Sequence, residues 1–163
     1  MAELWDAYDN AFNKINGITL VRGEPLFDGI YHLVAEIIVK HTDGTYLLMQ
    51  RDRKKHLGGM WELTAGGSAL QGESASDCAT RELGEETGIS AIKMKEIGRL
   101  IHDTHHSLYV EYLCVTNCEK NSVRLQEGET VNYQWVKRSS LLEMSKDELA
   151  STRTVKLLRE LGI

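Results

Sequence analysis

Proline is almost missing from this chain: Pro25 is the single one in 163 residues. With no proline- or serine-rich stretch, no low-complexity segment and no internal repeat, nothing marks a linker, and the length predicts one domain over residues 1–163. Cysteine is scarce and odd in number. Cys78, Cys114 and Cys118 form no C-x-x-C pair and lack histidines at zinc spacing, which excludes a disulfide framework and a zinc finger and leaves three reduced thiols. Cys78 and Cys114 sit among small or apolar residues, so packing is their expected role, and Cys118 is expected to be the most exposed. No apolar run approaches the ~20 residues that a bilayer-spanning helix needs. The start, Met1-Ala2-Glu3-Leu4-Trp5-Asp6, has no basic stretch leading into an apolar one, which excludes a secretory signal and predicts a cytoplasmic protein without a membrane partner. Basic residues are in deficit, 19 against 24 acidic ones for a net charge of −5. That balance argues against general affinity for nucleic acid and towards a small-molecule partner.

Hydrophobic residues at 42% and charged ones at 26% are an ordinary globular mixture. Leu4-Trp5-Asp6-Ala7-Tyr8 reads as a strand, followed by a polar turn and a second strand from about Ile18 to Arg22. Tyr31 to Val39 and Tyr46 to Gln50 flank Thr42-Asp43-Gly44-Thr45, and an Asp-Gly pair between apolar runs predicts an antiparallel hairpin. Trp61 to Ala65 reads as a short strand running into Gly66-Gly67. A helix is expected to start at Ser74, with Asp77 three residues on, and to stop at Gly88. Met94 to Ile101, Leu108 to Val115 and Val131 to Val136 read as three more strands. Ser140-Leu141-Leu142-Glu143 and Ser145-Lys146-Asp147-Glu148 are capping-box patterns; they predict a short helix and then a terminal helix with Leu149, Val155, Leu158 and Leu161 facing the core. This order predicts an α/β fold, a mixed sheet sandwiched between helices.

The chemistry concentrates between Gly67 and Ile89. Glu82, Glu85 and Glu86 stand at i, i+3 and i+4, so a helix projects all three from one face within about 6 Å of one another. Like charges so placed weaken a helix, whereas a hard cation such as Mg²⁺ requires several carboxylate oxygens at one point. For a lone E-x-x-E-E a solvated acidic face is the better explanation. Here, however, the triplet sits inside Gly67, five residues, Glu73, seven residues, then Arg81-Glu82-Leu83-Gly84-Glu85-Glu86-Thr87-Gly88-Ile89. That segment resembles the Nudix box, G-x5-E-x7-R-E-U-x-E-E-x-G-U with U aliphatic, at every defined position. A chance match in a chain this long has odds on the order of 10⁻⁸, which decides against the solvated face.

The resemblance implies the Nudix fold, an α/β/α sandwich, and a metal-dependent pyrophosphohydrolase acting on a nucleoside diphosphate linked to another moiety or on a related organic diphosphate. It implies Mg²⁺ as cofactor, with Mn²⁺ as an alternative, and it admits a homodimer. By position, Glu85 and Glu86 are implied to bind metal, Glu82 to bind metal or place the attacking water, and the Gly67 carbonyl to complete the shell. Arg81 and Glu73 orient the others. A general base outside the box is sought among Glu111, Glu127 and Glu129, Glu129 first, beside Glu82 itself. Arg51, in the basic run with Arg53, Lys54 and Lys55, is the expected substrate contact; Trp61 is weighed as a base-stacking ring against a core role.

Outside the box the chain is similar to the isopentenyl-diphosphate isomerase branch, in Tyr31-His32-Leu33, Gln50-Arg51-Asp52-Arg53, Gly59-Met60-Trp61 and Tyr133-Gln134-Trp135. An isomerase is therefore one alternative and a non-catalytic nucleotide sensor the other. Against the isomerase, Gly66 and Ser68 occupy the positions where that branch carries its cysteine and histidine. His32 falls where an isomerase ligand would lie, but it also suits a packed strand. The group His102, His105 and His106 reads as a polar turn.

Overall fold

Apolar alternation decides which way each strand of the central sheet faces. In the computed structural model, which describes residues 1–163, strand β3 (His32–His41) turns Leu33, Ala35, Ile37 and Val39 to one side and Ile38 to the other. The first side forms the larger core with α1 (Ala75–Thr87), through Cys78, Ala79 and Leu83. The second side forms a smaller core with α2 (Arg138–Glu143) and α3 (Arg153–Leu161), through Leu141, Val155 and Leu158. Burying a Leu or Val of this kind contributes about 1.5–3 kcal/mol each, which is enough to hold the short α3 in place. The result is the expected α/β/α sandwich around a mixed sheet.

The sheet has two arms. β3 runs parallel to β8 (Ser107–Thr116) over ten residue pairs, and β7 (Lys93–His102) lies antiparallel beyond β8. β4 (Thr45–Arg51) pairs with β9 (Thr130–Lys137) and, at Met49 and Gln50, with β5 (Trp61–Glu62). The Asp-Gly hairpin between β3 and β4 forms as expected, with the Thr45 N–H and hydroxyl both bonded to the Asp43 carboxylate. Its strands are ladder partners only at Lys40 and Tyr46. Beyond that pair they part, because β6 (Thr64–Ser68) takes the edge of β3 from Val34 to Ile38. The expected single strand from Trp61 to Ala65 is thus two, broken at Leu63, which is buried in the smaller core. The break leaves a cleft between the two arms.

Three other boundaries differ from the sequence reading for local reasons. β2 (Lys14–Val21) begins four residues before Ile18 and pairs with β1 (Leu4–Tyr8), because the Asp9 carboxylate accepts the Ala11 and Asn13 N–H groups and closes the turn early. α2 starts at Arg138 rather than Ser140. The capping contact at Ser145 does form, its N–H donating to Glu148 Oε2 at 2.9 Å. It closes only a turn: Leu149 instead reaches Trp61 in an isolated bridge, and α3 begins at Arg153. Leu161 consequently faces solvent, not the core. By contrast, α1 is bounded as expected by Ser74 and by a left-handed Gly88.

His32 is a packed strand histidine. Its ring stacks on Trp5 at 4.2 Å and Nε2 lies 2.8 Å from the Ser107 hydroxyl. Burial pushes its pKa down to about 4, Glu3 working against the shift and His106 adding to it. Between that value and the ordinary 6.5 the unfolded chain binds a proton the native protein refuses, so stability falls as pH drops through this window. We expect His32→Gln to remove about 2 kcal/mol of the stability lost between pH 7 and pH 5, read as urea midpoints of the two proteins at both pH values. Comparing the two proteins cancels the opposite contributions of Glu36 and Glu86, acids whose pKa values burial raises. Parallel curves for wild type and variant would remove this assignment.

Candidate active site

The helix α1 is fixed at both ends, so its register is fixed too, and its inner turn meets β6. Gly67 on β6 is where they touch: a Cβ added there would lie 2.5 Å from Glu82 Oε1. Only a glycine admits the carboxylate so close. Gly66 is constrained more severely, since its Cβ would stand 2.1 Å from the Ala35 carbonyl oxygen, and its φ is +154°. Its N–H donates to Glu86 Oε2 at 3.1 Å.

Glu82, Glu85 and Glu86 all line one cavity of about 360 Å³, together with Arg81, Gly66 and Gly67. Their surroundings differ. Glu86 is buried, and burial pushes its carboxyl up to about 8, the Gly66 N–H opposing and Glu62 and Glu82 reinforcing the rise. Glu82 is also raised by burial, with Arg81 working against it. Glu85 stands at the exposed rim. Arg81 ties the group together: Nε and Nη2 grip both oxygens of Glu73 at 2.8 and 3.0 Å, while Nη1 reaches Glu82 at 2.7 Å and Glu85 at 3.2 Å. The guanidinium holds the Glu73 carboxyl below its ordinary range. Nη2 also donates to the Ser68 carbonyl at 3.2 Å, so Arg81 links helix and strand.

No three His, Cys, Asp or Glu side chains converge closely enough to enclose a cation as they stand. Arg81 holds Glu82 and Glu85, and Gly66 holds Glu86. The donor set nevertheless fits a hard divalent ion. All its groups are oxygen donors, two of the three acids are raised by burial, and a nearby cation relieves that cost directly.

Of the bases sought outside the box, only Glu129 lines the cavity, where it is paired with Lys55. Glu127 is exposed and lines neither this cavity nor its neighbour. Glu111 is buried on the other side of the sheet in an ion pair with Arg153, which also binds Glu36. Arg51 lines a smaller adjoining cavity of about 170 Å³ that shares Lys55, Gly66 and Glu86 with the first. There it donates to Glu62 at 2.6 Å and to the His56 carbonyl at 2.9 Å. Trp61 packs on the smaller core. His102 and His105 stack on each other at the turn between β7 and β8.

Glu36, Glu62 and Arg153 were not singled out from the sequence, although all belong to this region. A signal existed for Glu36, the same one that Glu111, weighed as a base, carries. Each is a lone carboxylate inside an otherwise apolar strand, and the two are direct neighbours in the β3–β8 ladder.

A family model of the NUDIX domain matches residues 30–158. Over 140 residues the chain is 28% identical to an uncharacterised Nudix hydrolase of Listeria monocytogenes, covering 85% of this chain and 82% of that protein. It is 33% identical to an isopentenyl-diphosphate Delta-isomerase of Rhodobacter capsulatus, over 72 residues that cover 44% of this chain and 41% of the isomerase. The crystal structure of DR0079 from Deinococcus radiodurans superposes with a TM-score of 0.76 over 97% of this chain and 98% of that one, at 16% identity. At that identity the likeness shows the fold.

Proposed function

We propose, since this chain belongs to the Nudix hydrolase family and so acts on pyrophosphate bonds, that it is a Mg²⁺-dependent pyrophosphohydrolase whose working residues are Glu82, Glu85, Glu86, Arg81 and Gly67. One observation carries the reading: three glutamates of a single helical turn open into one cavity against a double glycine. Glu85, Glu86, Glu82 and the Gly67 carbonyl would hold the cation, and Mn²⁺ suits the same oxygen donors. When bound, such an ion neutralises diphosphate oxygens and acidifies a water molecule.

The remaining work belongs to the chain itself. Gly66 holds Glu86 by its N–H, Arg81 braces Glu82 and Glu85 against Glu73, and Lys55 brings positive charge to the phosphates. Of the four glutamates weighed as the general base, Glu82 and Glu129 border the cavity. The isomerase alternative needs a thiol acid, and the cysteine beside the cavity does not suit it. Cys78 is buried, gives its S–H to the Gly67 carbonyl at 3.4 Å, and has a pKa that burial pushes up to about 12.

The test is cleavage of the P–O–P bond in a panel of nucleotide and organic diphosphates, read by separating the products on an ion-exchange column. Chelation by EDTA is expected to reduce turnover by about 100-fold or more, with Mg²⁺ or Mn²⁺ restoring it. Turnover that persists in excess chelator would overturn the metal assignment.

A further inference from the structure

Residues 1–29 lie outside the segment that the family model matches, yet they build one wall of the glutamate cavity. Glu3, just before β1, and Arg22, just after β2, both line it. The β1–β2 hairpin is fastened to the loop that leads into α1. Asp6 accepts the Gly72 N–H at 2.8 Å, Leu4 accepts the Gln71 N–H at 2.9 Å, and the Gln71 amide donates to Thr19 at 2.9 Å. These bonds place the hairpin relative to the box helix.

Arg22 is exposed, and its ion-pair partner is Glu3 at 3.0 Å. Exposed pairs of this kind contribute little, so an anion entering the cavity can compete for the guanidinium. The cavity wall also limits what the anion is attached to. Its thirteen residues include no aromatic ring and one apolar side chain, Leu70. In the adjoining cavity the aromatic residue is Tyr109, and the Arg153 guanidinium lies 4.8 Å from its ring centre. A nucleobase is held best by stacking on an aromatic face. This lining offers hydrogen bonds and charges instead, which match hydroxyls and phosphates.

We propose that the N-terminal hairpin is a specificity element in which Arg22 binds an anionic group at the far end of the substrate, and that the substrate is a diphosphate of a hydroxyl-rich, non-aromatic skeleton such as a phosphorylated sugar. This rests on the hydrolase reading above. Water adds to one phosphorus of the P–O–P bridge and the bridging oxygen leaves with the other, giving inorganic phosphate and a sugar that keeps one phosphate at the cleaved position and its far-end anionic group, with the proton passing to a base.

Phosphate release in Mg²⁺ is measured for 5-phosphoribosyl 1-diphosphate, ribose 1-diphosphate and ADP. The doubly charged sugar is expected to exceed ADP in kcat/KM by about tenfold or more. Arg22→Gln is expected to lower the preference for 5-phosphoribosyl 1-diphosphate over ribose 1-diphosphate by about tenfold. Glu3→Gln, which frees the guanidinium, is expected to raise it. Preference for ADP, or a ratio that Arg22→Gln leaves unchanged, overturns the proposal while the hydrolase reading stands. If none of the three is cleaved in Mg²⁺ and the wider diphosphate panel is, this proposal alone falls; no P–O–P cleavage anywhere in the panel removes the hydrolase reading as well.

Discussion

Glu86→Gln is expected to lower kcat/KM for the protein's diphosphate substrate by about 10³-fold while leaving the fold intact. The substitution isolates one property. Glutamine has nearly the same shape and keeps an oxygen that can accept the Gly66 N–H, so the contact between α1 and β6 survives. What is removed is the capacity to carry negative charge at the most buried of the carboxyls lining the cavity. Burial raises the pKa of Glu86 because water no longer solvates its anion, so a neutral replacement costs the native protein little. The loss should therefore appear in turnover and in metal binding rather than in stability. A readout independent of turnover is available: Mg²⁺ at a hundred times its Kd stabilises a native protein by about 2.7 kcal/mol. That stabilisation should be present in wild type and absent from the variant. Turnover of the variant within a few-fold of wild type would withdraw Glu86 from the site.

What could be read from the chain divides along a physical line. Features set by neighbours in sequence were legible: the cap at Ser74, the stop at Gly88, the Asp-Gly turn, and three glutamates on one helical face. Each depends on interactions within about one turn of helix or one hairpin. Features set by competition between distant segments were not. β3 and β4 look like full hairpin partners until β6, some twenty residues on, takes the edge of β3. Ser145 makes its capping contact, yet Leu149 is drawn to Trp61 and the helix waits until Arg153. Within the site the same rule holds. Arg81 and Glu73, expected from the box to orient the other acids, pair with each other, and Arg81 also grips Glu82. The pairing of Glu111 with Arg153 across 42 residues and of Glu36 with Arg153 across 117 follows from topology alone. So does the wall that Glu3 and Arg22 contribute.

The double glycine allows a sharper separation of folding from function, because adjacent substitutions should fail in different ways. Gly66→Ala places its Cβ 2.1 Å from the Ala35 carbonyl oxygen and 3.0 Å from Glu36 Cα, both main-chain atoms of the ladder partner. Nothing there can rotate aside, and φ of +154° is unfavourable for any L side chain. The strands must separate, at a cost of about 3–4 kcal/mol and a fall in Tm of roughly 10 °C. Gly67→Ala instead directs its Cβ at the end of the Glu82 side chain, 2.5 Å from Oε1. A carboxylate can swing away, so Tm should drop by only a few degrees. Glu82 then leaves Arg81 and the cavity, and kcat/KM should fall by about 10- to 100-fold, the range seen when a supporting contact to a ligand is lost. Thermal melts and steady-state kinetics on the two alanine variants check both. If Gly67→Ala unfolds as readily as Gly66→Ala, the glycine at 67 serves the sheet. If it keeps wild-type turnover, the close approach of Glu82 to β6 has no part in the reaction.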